Sequence, residues 1–349
     1  MGIVRSIAPT LLAIFLASSD AVAQSRKEGD FVLNNFTFHD GATLPALSMH
    51  YITLGDPKSP AVLVLHGTGG NGASLLSPDF GGALFGSGQP LDASKYYLIL
   101  PDMIGTGKSS KPSDGLRMRF PRYNYDDMVS ATYRLLTDGL KIKHLRLVMG
   151  NSMGGMLTWT WGEAYPNFMD GLVPLASTPA PMSGRNWILR RMFVEAIKAD
   201  PAWNGGDYTS QPKSLKLANA FFGFATSGGN LGLQKQAPTR EAADRLVDAR
   251  LTAPAAGDAN DTIYQLDASR DFDPSPKLAR IAAPVLAINS ADDERNPKET
   301  GLLEKGIAQL KKGQIFLIPA SDDTRGHGTT GAAKLWKDRL TKFLADLSL

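Results

Sequence analysis

The stretch Gly150-Asn151-Ser152-Met153-Gly154-Gly155 constrains this 349-residue chain more than any other. Ahead of it, Leu145-Arg146-Leu147-Val148-Met149 reads as a buried strand. After it, Met153–Tyr165 reads as a helix that Pro166 stops. A serine with glycines two residues away on either side, at a strand-to-helix turn, is a nucleophile elbow. The turn is so tight that a side chain at Gly150 or Gly154 would collide with the neighbouring strand or helix. In return the serine hydroxyl stands above the sheet, and the amide of Met153 points out at a helix N-terminus. The Gly-x-Ser-x-Gly spacing alone is weak evidence in a chain with 35 glycines. Its strand–turn–helix setting gives it force.

The flanking pattern agrees. Phe31–Phe38 and Leu47–Leu54 alternate like an antiparallel hairpin at a sheet edge. Continuous apolar runs follow at Ala61–Leu65, Tyr96–Leu100, Leu145–Met149, Leu172–Ala176, Pro284–Asn289 and Gln314–Ile318, as expected of strands covered on both faces. Helical patterns over Tyr125–Leu140, Met153–Tyr165, Lys298–Leu310 and Thr330–Leu347 separate them. Between Ala176 and Pro284 the connection is far too long for an ordinary crossover and holds amphipathic stretches such as Trp187–Ile197. With an elbow serine in such a sheet, the chain resembles the α/β-hydrolase fold: class α/β, a mostly parallel, doubly covered sheet with an inserted helical lid. The expected division is a signal peptide over 1–23, a first core part over 24–178, the lid over 179–280 and a second core part over 281–349.

Arg5, the short apolar run Ile7–Ala17 and the small residues Ala21-Val22-Ala23 before Gln24 predict a cleaved secretion signal, hence a secreted or periplasmic protein with no stable membrane span after cleavage. There are no cysteines, so neither disulfides nor a lipid-modified cysteine can form. Basic and acidic residues nearly balance, 37 against 34, and the densest basic pairs, Arg190-Arg191 and Lys311-Lys312, read as solvated helix faces. Nucleic-acid binding therefore has no electrostatic support. Without an H-E-x-x-H motif or clustered histidines, no metal is expected. Gly105-Thr106-Gly107-Lys108-Ser109 ends like a P-loop but lacks the first glycine, since position 102 is Asp, so no phosphate-binding cofactor is expected either.

A serine hydroxyl needs a base, and the base needs an orienting acid. Among five histidines, His39 and His50 fall in the N-terminal hairpin, and His144 stands among basic residues before a strand. His66 opens His66-Gly67-Thr68-Gly69-Gly70, which suits an oxyanion loop. His327, between the last strand and the last helix, is the candidate base. The acid is expected between Ser152 and His327 in chain order, after a strand. Asp293, four residues before Pro297, is selected, with Asp292 as fallback and Asp322 and Asp323 ranked lower. The order Ser152, Asp293, His327 is that of the α/β-hydrolases. Amides of Met153 and Thr68 are the expected oxyanion donors.

From about Leu47 onward the chain resembles the homoserine O-acetyltransferase-like α/β-hydrolases. The resemblance rests on Gly150–Met156 with Tyr165-Pro166, on Ala199–Tyr208, on Asp258-Ala259-Asn260-Asp261, on Ser290–Pro297 and on Gly326-His327. It implies the triad Ser152, Asp293 and His327, and an acetyl group passed from acetyl-CoA through the serine to an amino-acid hydroxyl. Three departures point elsewhere. Gly105–Pro112 stands where those acetyltransferases carry Gly-Ser-Thr-Gly-Pro. The loop from His66 differs from their His-Ala-Leu-Thr-Gly. Their arginine-bearing lid segment is not recognisable between Gly223 and Leu251. A secreted protein, moreover, meets no acetyl-CoA pool. The expectation is thus a secreted serine hydrolase acting on small-molecule carboxylic esters through an acyl-enzyme, with acyl-CoA-dependent O-acyltransfer as the alternative. No oligomeric state is specified.

Overall fold

In the computed structural model, residues 26–253 and 257–347 are described, so the expected signal segment lies outside them. Eight strands form one sheet: β1 Lys27–Thr37, β2 Thr43–Leu54, β3 Ala61–Leu65, β4 Tyr97–Pro101, β5 Leu147–Asn151, β6 Leu172–Leu175, β7 Val285–Ser290 and β8 Gly313–Ile318. Their spatial order is β1-β2-β4-β3-β5-β6-β7-β8. The expected hairpin forms the edge, β1 antiparallel to β2 and β2 antiparallel to β4, and every later pairing is parallel.

The helices are α1 Gly81–Leu84, α2 Tyr125–Arg134, α3 Met153–Ala164, α4 Gly184–Lys198, α5 Lys213–Ser227, α6 Asn230–Gln236, α7 Arg240–Thr252, α8 Ala259–Asp267, α9 Leu302–Ile307 and α10 Lys337–Asp346. Strand periodicity splits the apolar runs between two cores. Leu63 and Leu65 of β3 join Leu157, Trp159 and Trp161 of α3 on one face, while Val62 and Val64 join Leu340 and Phe343 of α10 on the other. Helix α3 is buried from Met153 to Glu163, which explains its nearly continuous apolar sequence.

Between β6 and β7 the chain leaves the sheet for α4 to α8. These helices carry a small core of their own, in which Phe193, Ile197, Leu215, Phe222, Ile263 and Leu266 pack together. Among the described residues no helix is long and apolar enough to cross a membrane.

Three expected helices are shorter than read. Tyr125–Leu140 is α-helical only to Arg134, the rest being a wider π turn. Lys298–Leu310 breaks at Gly301, whose φ of 61° is left-handed. Thr330–Leu347 begins as short 3-10 turns and becomes α10 only at Lys337. There the Trp336 indole donates to the Thr330 carbonyl at 2.9 Å, closing the turns that precede the helix.

Candidate active site

Strand β5 ends at the elbow, and Ser152 takes φ 58° and ψ −112°, an unfavourable conformation for a residue with a side chain. The turn has no room for other residue types. A β-carbon on Gly150 would lie 2.3 Å from the Gly154 carbonyl oxygen, and one on Gly154 would lie 2.2 Å from that of Leu65. The Ser152 amide donates to the Leu175 carbonyl at 2.9 Å, pinning the strained residue to β6.

Two other chain segments converge on this point. Asp293, only 2% exposed, sits in the turn that follows β7, and His327 lies on the 3-10 turn Gly326–Gly331 beyond β8. The His327 Nε2 is 2.8 Å from Ser152 Oγ, and its Nδ1 is 2.8 Å from Asp293 Oδ2. An ionised Asp293 can only accept, so Nδ1 carries the hydrogen and Nε2 is left to accept from the serine. The backbone N–H of Arg295 donates to Asp293 Oδ1 at 2.8 Å and the Asn296 amide group to Oδ2 at 2.9 Å. Burial pushes the Asp293 carboxyl up, but the facing imidazole and these hydrogen bonds outweigh it and hold the group below the ordinary carboxylate value. His327 is held below the ordinary histidine value. Burial disfavours its cation, and the nearby charges of Arg295 and Arg190 add to that against the opposing pull of Asp293.

Asp292, the fallback, points elsewhere: it accepts from Ser290 and, at 2.7 Å, from the Thr324 hydroxyl, tying the histidine loop to β7. The elbow holds the same loop from the other side, through Thr330 Oγ1 donating to Asn151 Oδ1 at 2.6 Å. Asp322 pairs with Lys235 at the surface. The other histidines are structural: His39 binds Asp127, His50 binds Asp102, and His144 binds Asp170.

The His66 ring is fully buried and anchors its own loop, Nδ1 donating to the Gly67 carbonyl at 2.8 Å and Nε2 accepting from the Met103 amide at 3.1 Å. That loop lies against the elbow serine: a β-carbon on Gly67 would stand 3.5 Å from the Ser152 β-carbon. Thr68 follows it, and the Met153 amide, in the first turn of α3, has no carbonyl to pair with in its own helix. The lysine-bearing loop 105–109 wraps the Asp102 carboxylate, which accepts from the Lys108 amide at 2.8 Å.

Sequence reasoning missed Arg190. The solvated-helix reading of Arg190-Arg191 holds only for the second residue, because Arg190, on α4, is 1% exposed and lies near enough to His327 for its charge to act on the ring. A buried arginine in an amphipathic pattern carries no signal of its own; only the packing of α4 over the sheet reveals it.

Comparison with known proteins places the fold. A family model described as alpha/beta hydrolase fold matches residues 60–315. The homoserine O-acetyltransferase of Thermobifida fusca is 35% identical over 189 residues, 49% of each chain. The chain spans about half the length of the curated relatives it matches. Among solved structures, a homoserine O-acetyltransferase from Bacillus anthracis superposes with a TM-score of 0.81 at 23% identity, covering 93% of this chain and 99% of that one. An acetylester hydrolase from Corynebacterium glutamicum gives 0.77 at 22% identity, covering 92% and 95%. At such identities the superpositions speak for the fold. The chain belongs to the α/β-hydrolase family, and within it is similar to the homoserine O-acetyltransferases.

Proposed function

We propose that the protein is a serine-dependent acyl-transfer enzyme whose triad is Ser152, His327 and Asp293. The observation that carries this reading is the pair of 2.8 Å contacts linking the three side chains. Ser152 Oγ attacks the acyl carbonyl carbon as its proton passes to His327 Nε2, and Asp293 stabilises the imidazolium through Nδ1–H. The Met153 and Thr68 amides receive the developing oxyanion. Collapse expels the leaving group, which takes the proton from Nε2, and leaves the acyl group on Ser152. An acceptor hydroxyl then gives its proton to Nε2, attacks the acyl carbon and frees the serine.

The two readings differ in that acceptor. O-acyltransfer to an alcohol stands first, supported by the similarity to homoserine O-acetyltransferases. Hydrolysis is the second reading. It is favoured by the esterase-like stretch Gly105–Pro112 and by the export signal read in residues 1–23, since an exported enzyme meets no acetyl-CoA. Secretion is itself part of this proposal. The test uses the purified protein with p-nitrophenyl acetate, and with acetyl-CoA in the presence and absence of homoserine. CoA release that depends on homoserine is expected of the transferase. Turnover of the nitrophenyl ester with no CoA release favours hydrolysis. Inertness towards all three, with no labelling of Ser152 by a fluorophosphonate, would remove the enzymatic reading.

A further inference from the structure

Two cavities meet at Arg295, which lines both. The larger, of about 440 Å³, takes in Thr68 and hydrogen-bonding side chains such as Asp258, Thr262 and Gln265. The smaller, of about 190 Å³, is different in kind. The buried Met156 and Phe272 line it together with Met182 and Leu302, and Thr178 and Asn296 are among its polar members. Ser183, Arg185 and Thr300, also in its lining, are exposed, so the cavity opens to solvent.

Most polar groups of this lining already have partners in the protein. Thr178 Oγ1 donates to Asn296 Oδ1 at 3.1 Å. The Asn296 amide group donates to the Ala176 carbonyl at 3.0 Å and to Asp293 Oδ2 at 2.9 Å. On the backbone, the Met182 amide donates to the Phe272 carbonyl at 2.9 Å. Arg185 pairs with Glu294 at 2.6 Å, and Thr300 Oγ1 donates to the Pro297 carbonyl at 2.8 Å. The Arg295 guanidinium lies over the Phe222 ring, 4.7 Å from its centre, and Phe222 belongs to the larger cavity. What the smaller cavity offers a ligand is therefore apolar surface.

Its lining is bonded directly to two members of the triad. Met156 lies one turn beyond Ser152, whose carbonyl accepts its amide at 2.9 Å, and a helical side chain leans back over the turn before its own. Arg295 and Asn296 both donate to the Asp293 carboxylate. An ester held at Ser152 thus has a polar cavity and an apolar one beside it.

We infer that the smaller cavity receives an unbranched hydrocarbon chain carried by the ester substrate, so that the enzyme prefers chains of medium length to the shortest ones. The inference rests on the acyl-transfer reading above. An apolar cavity of roughly 150 Å³ holds a benzene molecule, so this one holds a chain of about six carbons. The chain is carried either on the acyl portion or on the alcohol portion.

The experiment follows chain length on each portion separately. p-Nitrophenol release is measured for the acetate, butanoate, hexanoate and octanoate esters, and acetate release for ethyl, butyl, hexyl and octyl acetates. Each methylene that enters an apolar site is worth about a fourfold gain, so kcat/KM in one series should climb about tenfold or more by the hexyl member and then level or fall. That series identifies the portion that carries the chain. Met182→Trp narrows the cavity and should cost the hexyl member about tenfold more than the shortest one. Leu302→Ala enlarges it and should move the optimum to a longer chain. The wild-type series decides alone should a variant not fold. A shortest member that is best in both series, or a rise that continues through octyl, overturns the inference while leaving acyl transfer standing. So does an optimum that neither folded variant moves. No turnover of any ester, with no fluorophosphonate labelling of Ser152, sinks the acyl-transfer reading instead.

Discussion

His327 is the residue whose chemistry the surroundings alter most usefully. In the proposed mechanism it must be neutral to take the Ser152 proton, and burial together with Arg295 and Arg190 disfavours its charged form. The sign is therefore fixed: as pH falls, activity persists below the ordinary histidine value before the imidazole protonates and the rate drops. A pH profile of kcat/KM should place the acid limb below 6.5. A midpoint at or above that value would show that these charges do not act on the ring. The elbow serine and this histidine were legible in the chain because each carries a local pattern, glycine spacing in one case and position after the last strand in the other. Asp293 was picked ahead of Asp292 from its place four residues before Pro297. Adjacent residues in a turn point different ways, and here one carboxylate meets the imidazole while its neighbour accepts from Thr324.

At the scale of elements, helix α3 shows what tight burial costs. Glu163 is 5% exposed near the end of a helix otherwise apolar along this stretch, its Oε1 has no partner, and burial raises its carboxyl from 4.5 to about 8. The folded state thus holds a proton that the unfolded chain releases between those values, so this group makes stability fall as pH rises through that window. Thermal unfolding followed from pH 5 to 8 should show a smaller decline for Glu163→Gln than for wild type. Parallel curves would mean that the carboxyl is solvated. Strands β3 to β8 were readable to within a residue or two because two-sided burial demands unbroken apolar runs, whereas β1 and β2 each begin four residues before the stretch read for them. The helix ends were not: one helix breaks at the left-handed Gly301, and the turns before Lys337 are held by distant partners, as where the Ala333 amide donates to the Asp79 carbonyl at 2.9 Å.

On the scale of the whole molecule, the helical insertion is built into the site. Gly228, just past α5, bridges to Asp293, and Gly229 packs against Arg325 and Gly326. Gly326 has φ 56°, and a β-carbon there would stand 1.7 Å from the Ser227 carbonyl oxygen. Gly326→Ala should therefore cost about 2 kcal/mol or more in urea unfolding, combining left-handed strain with overpacking, and should also lower kcat by displacing His327. A variant of wild-type stability and rate would show that the insertion and the histidine loop move independently. The long gap between the sixth and seventh strands announced an insertion, but not that it packs against the loops of Asp293 and His327 and supplies a buried arginine.

By itself the sequence determined the sheet, the elbow and the order of the reacting residues, because burial periodicity and steric demand for glycine act over a few neighbouring positions. Only the tertiary structure decided how the insertion clamps the two loops, and that Arg190 is buried beside Arg295. Those outcomes depend on contacts between segments distant in the chain, and a contact of that kind leaves no periodic trace along it.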